Sequence, residues 1–177
     1  MRIVAGSLRG RVLVEFKGED IRPTADKVRE SLFNILQFKI KGKSFLDLFA
    51  GTGAVGIEAY SRGAGKVTFN ELSKDSLTVL NKNLTTLKIK DDVTISNRDA
   101  ISFLESGLDA FDIIFIDPPY KSGLGEIAVE KAIKRLSDGG MIILENEKEF
   151  ASQIQGLTAV DKRKYGRVHL TIFCKEN

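Results

Sequence analysis

The chain has one cysteine, Cys174, and one histidine, His169. A lone thiol excludes an internal disulfide framework and any cysteine metal site, and a lone imidazole cannot build a zinc site, so no metal is expected. Cys174 lies in an apolar stretch and reads as a small core residue. No apolar run reaches membrane-spanning length and no targeting segment is apparent, which points to a cytoplasmic protein with no membrane partner. Internal repeats and low-complexity linkers are also missing. Proline is scarce: there are three, and two of them, Pro118 and Pro119, are adjacent.

What is present suits one globular unit. The 177 residues are 42% hydrophobic and 29% charged, enough for a sizeable core. The net charge is +3, unevenly spread: residues 1–43 carry +5 and residues 44–177 carry −2. A basic extension (1–43) ahead of a neutral catalytic domain (44–177) suggests that the extension meets a polyanion.

The adjacent prolines belong to Asp117-Pro118-Pro119-Tyr120, directly after the apolar run 111–116. Neither proline can donate a ladder hydrogen bond, so the strand stops and the turn stiffens. An acidic side chain, rigid backbone carbonyls and an aromatic ring are thereby offered at a strand's carboxyl end, where open α/β sheets bind ligands. The cluster suits a planar group bearing an NH2: two acceptors for the amine and a ring to stack on the plane. A plain turn with Asp as its first residue would use the same letters.

A second motif follows the strand-like run 45–50. Gly51-Thr52-Gly53-Ala54-Val55-Gly56 has the G-x-G-x-x-G spacing, and Glu71 comes twenty residues after Gly51. Glycines permit a tight turn and close approach of a ligand, a helix amino terminus offers N–H groups, and the later acid suits ribose hydroxyls. The motif leaves nicotinamide dinucleotides and other adenosine cofactors open. Asp47, just before the turn, favours S-adenosylmethionine: it can face an ammonium group, whereas beside a pyrophosphate it would repel.

With these motifs in hand, the chain resembles the bacterial small-subunit (16S) ribosomal RNA guanine-N2 methyltransferase family along nearly its whole length. The resemblance is carried by Arg2-Ile3-Val4-Ala5-Gly6 with Arg9-Gly10-Arg11, by Arg22-Pro23-Thr24-Ala25-Asp26-Lys27-Val28-Arg29-Glu30, by Leu46–Gly53, by Asp117–Tyr120 and by Tyr165-Gly166. Ala5 departs where a second glycine is expected, and Asp99 stands where an asparagine occurs in relatives. The resemblance implies a Rossmann-like class I S-adenosylmethionine-dependent methyltransferase fold with a small N-terminal hairpin and helix. It implies an enzyme that methylates a guanine N2 of 16S ribosomal RNA, free or in an assembling small subunit, and a monomer is expected. Asp117 and the Pro118 carbonyl would accept the amine protons beside Pro119, with Tyr120 stacked on the base. Asp47, Phe49, Gly51, Gly53, Glu71, Asp99 and Ala100 would form the cofactor site. Arg2, Arg9, Arg11, Arg22, Lys27 and Arg29 would touch RNA.

Periodicity predicts a hairpin of Arg2–Val4 with Arg11–Val14, helices near 24–37, 53–62, 74–88, 99–106 and 124–136, and strands near 44–49, 66–70, 93–97, 111–116, 139–144, 157–164 and 168–174. Alternation implies an α/β fold with a mostly parallel sheet, and the last two strands form a hairpin, making the seven-stranded sheet antiparallel at that end. Rival readings are an N6-adenine DNA or protein glutamine methyltransferase, a nicotinamide-dependent oxidoreductase, and a non-enzymatic RNA-binding assembly factor.

Overall fold

The computed structural model describes residues 1–15, 23–119 and 122–176, with side chains in the first helix from residue 27 onward. The strands are β1 (Ser44–Asp47), β2 (Lys66–Asn70), β3 (Val93–Ser96), β4 (Phe111–Ile116), β5 (Leu136–Asn146), β6 (Leu157–Tyr165) and β7 (Val168–Lys175). The helices are α1 (Pro23–Ile35), α2 (Ala54–Ser61), α3 (Lys74–Thr86), α4 (Ala100–Ser106) and α5 (Leu124–Ala132). They build one seven-stranded sheet in the order β3-β2-β1-β4-β5-β7-β6. The first five strands are parallel, and β7 runs antiparallel between β5 and β6. The expected α/β class, the seven strands and the antiparallel C-terminal hairpin are all observed.

Strand alternation divides the core in two. Phe45, Ile113, Phe115 and Ile143 face the layer of α1, α2 and α3. Leu46, Ile114, Ile142 and Leu144 face α4 and α5. The N-terminal hairpin forms through one antiparallel bridge, Arg2 with Val12, closed by Ile3 N–H donating to the Arg11 carbonyl at 3.0 Å. Its inward residues Ile3 and Leu13 are buried in the same cluster as Leu32 and Phe33 of α1. Thus the described part of residues 1–43 packs as a continuation of the core.

Two buried polar residues fasten this segment. Glu58 of α2, 1% exposed, accepts from the backbone N–H of Val4 at 2.8 Å and of Ala5 at 3.0 Å, and from Arg62 Nε at 2.7 Å. Asn83 of α3 accepts from Val14 N–H through Oδ1 and donates to the Val14 and Thr52 carbonyls through Nδ2. Gly6 follows at φ +85°; a Cβ there would lie 1.8 Å from the Ser61 carbonyl oxygen, so only glycine lets the strap lie on α2.

One predicted boundary differs. The helix expected over 124–136 ends at Ala132, passes through a 3-10 turn at Ile133–Arg135, and β5 begins at Leu136 instead of 139. Arg135 causes this by turning inward. Its Nε donates to the Asp109 carbonyl, its Nη1 to that of Phe103 at 3.0 Å, and its guanidinium lies over the Phe103 and Phe111 rings. Arg22 falls outside the described residues.

Candidate active site

The sheet order reverses beside β1, with β2 on one side and β4 on the other, and such a switch point opens a crevice at the carboxyl ends. A cavity of about 560 Å³ lies there, lined by Phe49, Gly51, Glu71, Asp99, Ala100 and Asp117 among others. A second, of about 220 Å³, is lined by Asp47, Phe49, Gly51, Arg29, Asp117 and Glu145. Phe49, Gly51 and Asp117 line both, so the two form one trough. A third cavity of about 540 Å³ meets the first at Pro118 and Pro119 and is lined beyond them by Glu126, Asn146 and Phe150. Asp117-Pro118-Pro119 therefore stands where all three open. Tyr120 lies outside the described residues.

Each candidate arrives by a local cause. Glu71 follows β2, and its carboxylate receives Gly51 N–H at 2.7 Å on one oxygen and Ser73 N–H at 2.7 Å on the other. It thus pins the glycine turn while facing the larger cavity. Gly51 has φ +55° and open space where a Cβ would stand, leaving its backbone accessible to a ligand. Gly53 lines neither cavity. A Cβ there would lie 2.3 Å from Leu80 Cδ1, and its φ of +85° is left-handed, so its glycine serves the turn and helix packing. Its expected contact with a cofactor would have to run through the backbone. Asp99 caps α4 by accepting Ser102 N–H at 2.9 Å and stays exposed beside the larger cavity, combining the cap and pocket positions. Buried Asn70 bridges the Leu48 and Arg98 carbonyls through Nδ2, while its buried Oδ1, also on this wall, lacks a partner among the described residues.

The small cavity is acidic. Asp47 is 2% exposed, with Oδ2 accepting Gly56 N–H at 2.8 Å. Burial pushes its pKa up to about 7 against that hydrogen bond, and the charges of Asp117 and Glu71 push the same way. Burial also lifts Asp117 to about 7. Glu145 is raised well above the usual carboxylate range by burial and by Asp117. Carboxylates whose ionisation is this costly complement a cationic ligand, whose charge would keep them ionised. The donor set therefore fits a group bearing an ammonium or sulfonium at this end and hydroxyl and amine donors at the Glu71–Asp99 end.

Among the basic candidates, Arg2, Arg9, Arg11 and Lys27 are exposed, on or near the hairpin and the outer face of α1. Arg29 is placed differently. It is 5% exposed, donates through Nη2 to the Arg2 carbonyl at 2.8 Å, and lines the acidic cavity. A buried guanidinium among carboxylates serves the pocket and not an outer phosphate surface. Glu145, which also lines this cavity, follows the apolar run Met141–Leu144 as Asp117 follows Phe111–Ile116, and sequence reasoning missed it. Among the described residues, no group of three His, Cys, Asp or Glu side chains is placed to hold a metal. Nor is any described helix long and apolar enough to cross a membrane.

Comparison with known proteins follows the same outline. Residues 1–174 match the family described as "Conserved hypothetical protein 95". The chain is 41% identical over 154 residues to ribosomal RNA small subunit methyltransferase D of Haemophilus influenzae, covering 84% of this chain and 80% of that one. A solved Escherichia coli structure superposes with a TM-score of 0.90 at 36% identity, covering 99% and 98% of the two chains. A solved methyltransferase complexed with SAH shares the fold at 19% identity and a TM-score of 0.71, over 86% of this chain and 50% of that one.

Proposed function

The chain belongs to the conserved hypothetical protein 95 family, and from that premise we infer that it is an S-adenosylmethionine-dependent enzyme that methylates ribosomal RNA. More narrowly, we propose that it acts as a cytoplasmic monomer and that its acceptor is the exocyclic N2 of a guanine in 16S ribosomal RNA, free or within an assembling small subunit. The observation that carries this reading is the position of Asp117-Pro118-Pro119 at the meeting point of the trough and the third cavity.

S-adenosylmethionine supplies an electrophilic methyl carbon on a cationic sulfur. Asp47 meets the charged amino-acid end, Glu71 accepts from the ribose hydroxyls, and Asp99 with the Ala100 N–H takes the adenine. On the other side, Asp117 and the Pro118 carbonyl accept the two N–H bonds of the base amine. A guanine N2 is nearly planar and weakly nucleophilic, so acceptors on both N–H bonds raise its electron density and aim it in line at the methyl. Tyr120 stacks on a base that has left its helix or was never in one.

The deciding experiment is transfer of labelled methyl groups to 16S ribosomal RNA from cells lacking the gene, followed by nucleotide mapping. Label at N2 of one guanine is expected; label on an adenine N6, on protein, or on no RNA overturns the reading. Two variants follow from the same assignment. Glu71→Ala should weaken cofactor binding by about 1.5–3 kcal/mol, the worth of charge-assisted hydrogen bonds, with a smaller effect on rate at saturating cofactor. Unchanged affinity in calorimetry would return Glu71 to a purely structural role. Neutralising Arg9, Arg11 and Lys27 together should weaken RNA binding and flatten its log-log salt dependence by about one unit per lost contact, with cofactor affinity kept. An unchanged slope would remove these side chains from the RNA surface.

A further inference from the structure

We infer that Glu145 is a positioning residue for Asp117: it stands beside Asp117 across the β4–β5 seam, in the same cavity, and receives the proton that Asp117 takes from the methylated amine. This rests on the reading of Asp117 as the amine acceptor.

The geometry follows from register. Phe115 pairs with Ile143 and Ile116 with Leu144 in the parallel β4–β5 ladder. One position further on, Asp117 and Glu145 leave adjacent strands together. They point to the sheet face on which Phe115 and Ile143 lie, because side chains alternate. Asp47 joins them there: it pairs with Phe115, so Asp47, Asp117 and Glu145 lie near the carboxyl ends of three neighbouring strands on one face. All three line the cavity of about 220 Å³.

Among the described residues, the charged surroundings of Glu145 are few. Asp117 comes from β4, Asp47 from β1 and Arg29 from α1. On β7 its paired neighbour is the apolar Leu170, and His169 pairs with Asn146 one position away. The Met1 ammonium, from the hairpin that closes this side, is bound to Glu15 at 2.7 Å. Burial and the Asp117 charge both disfavour ionised Glu145, so the two carboxyl groups favour sharing one proton.

The step balances without another reagent. The amine nitrogen bonds to the methyl carbon as the carbon–sulfur bond breaks, and its electron pair stays on sulfur. Nitrogen then carries the positive charge until one N–H proton passes to the Asp117 carboxylate. Glu145, which is half-buried, gives the shared proton up to solvent and takes the new one from Asp117. Asp117 is thereby ionised again for the next turnover.

The test compares the full-length wild type, Glu145→Gln and Glu145→Asp. Carboxyl carbon NMR follows Asp117, and single-turnover transfer is measured across mildly acidic to mildly alkaline pH. In Glu145→Gln no second carboxyl group is left to couple with Asp117, so its titration should lose its second step and the acidic limb of the rate profile should shift with it. The plateau rate should fall about tenfold, since the proton has lost its second acceptor. Glu145→Asp, which keeps the carboxyl group, should restore the wild-type limb. An Asp117 titration unmoved in Glu145→Gln overturns the inference, as does a lower rate with an unshifted limb, which is what a packing role gives. The NMR titration needs no RNA substrate. A wild type that leaves RNA unmethylated would defeat the functional reading while the titration still decides the pairing.

Discussion

Asp117→Ala is expected to raise the barrier to methyl transfer by about 2–4 kcal/mol, a loss of roughly 30- to 900-fold in rate, by analogy with the removal of one preorganised polar group in other sites. The residue is rigidly presented, since Pro118 and Pro119 fix the backbone after it and β4 is buried before it. Cofactor affinity should change only a few-fold, because Glu71, Asp99 and Asp47 carry the adenosine and amino-acid ends. Asp117→Asn, which keeps an acceptor oxygen but not the charge, should fall between. The pH dependence has a definite sign: with Asp117 pushed up to about 7, the competent carboxylate is lost as pH falls through neutrality, and transfer falls with it. Single-turnover rates at saturating cofactor decide the matter, and a near-normal rate in the alanine variant sinks the assignment.

Glu58→Ala is expected to cost about 3–5 kcal/mol of stability, in the range for breaking a buried ion pair from one side. The variant strands three donors at once: the backbone N–H of Val4, that of Ala5, and Nε of Arg62, whose side chain is only 13% exposed. Glu58→Gln retains one acceptor oxygen for donors that use two, so it should lose about half as much. Denaturant midpoints measure the loss, and hydrogen exchange at residues 3–8 shows whether the strap detaches before the sheet opens. Equal midpoints for wild type and alanine variant would show that the strap is fastened elsewhere, by Asn83 and Ser61.

Much of this molecule was legible as letters because its signals are local. Apolar runs end at Asp47, Glu71 and Asp117, and the strand assignments fell within a few residues of the observed ends. The three G-x-G-x-x-G glycines were legible as a unit, but not their division of labour. Gly51 opens to the cavity, while Gly53 and Gly56 make room for Leu80 and Phe69. What escaped were residues whose partners are remote. Glu58 meets backbone 53 and 54 positions away and Asn83 meets it 69 away, and no periodicity marks a mid-helix acid or amide as a clasp. Arg29 was expected to touch RNA because a long cation is usually solvated, and the fold buries it. Glu145 was in plain view at a strand end, but only the β4–β5 register sets it beside Asp117.

The sheet order also constrains how the protein is made. β7 follows both β5 and β6 in the chain, yet it sits between them in the sheet. A nascent chain that has not yet delivered Val168–Lys175 leaves the buried run Met141–Leu144 of β5 with an open edge, and β6 with no neighbour to pair with. Such an edge invites pairing with other chains. The parallel half can assemble during synthesis, but the sheet closes only when the final segment inserts. A chain cut short before β7 is therefore an aggregation-prone species and not merely a shorter enzyme.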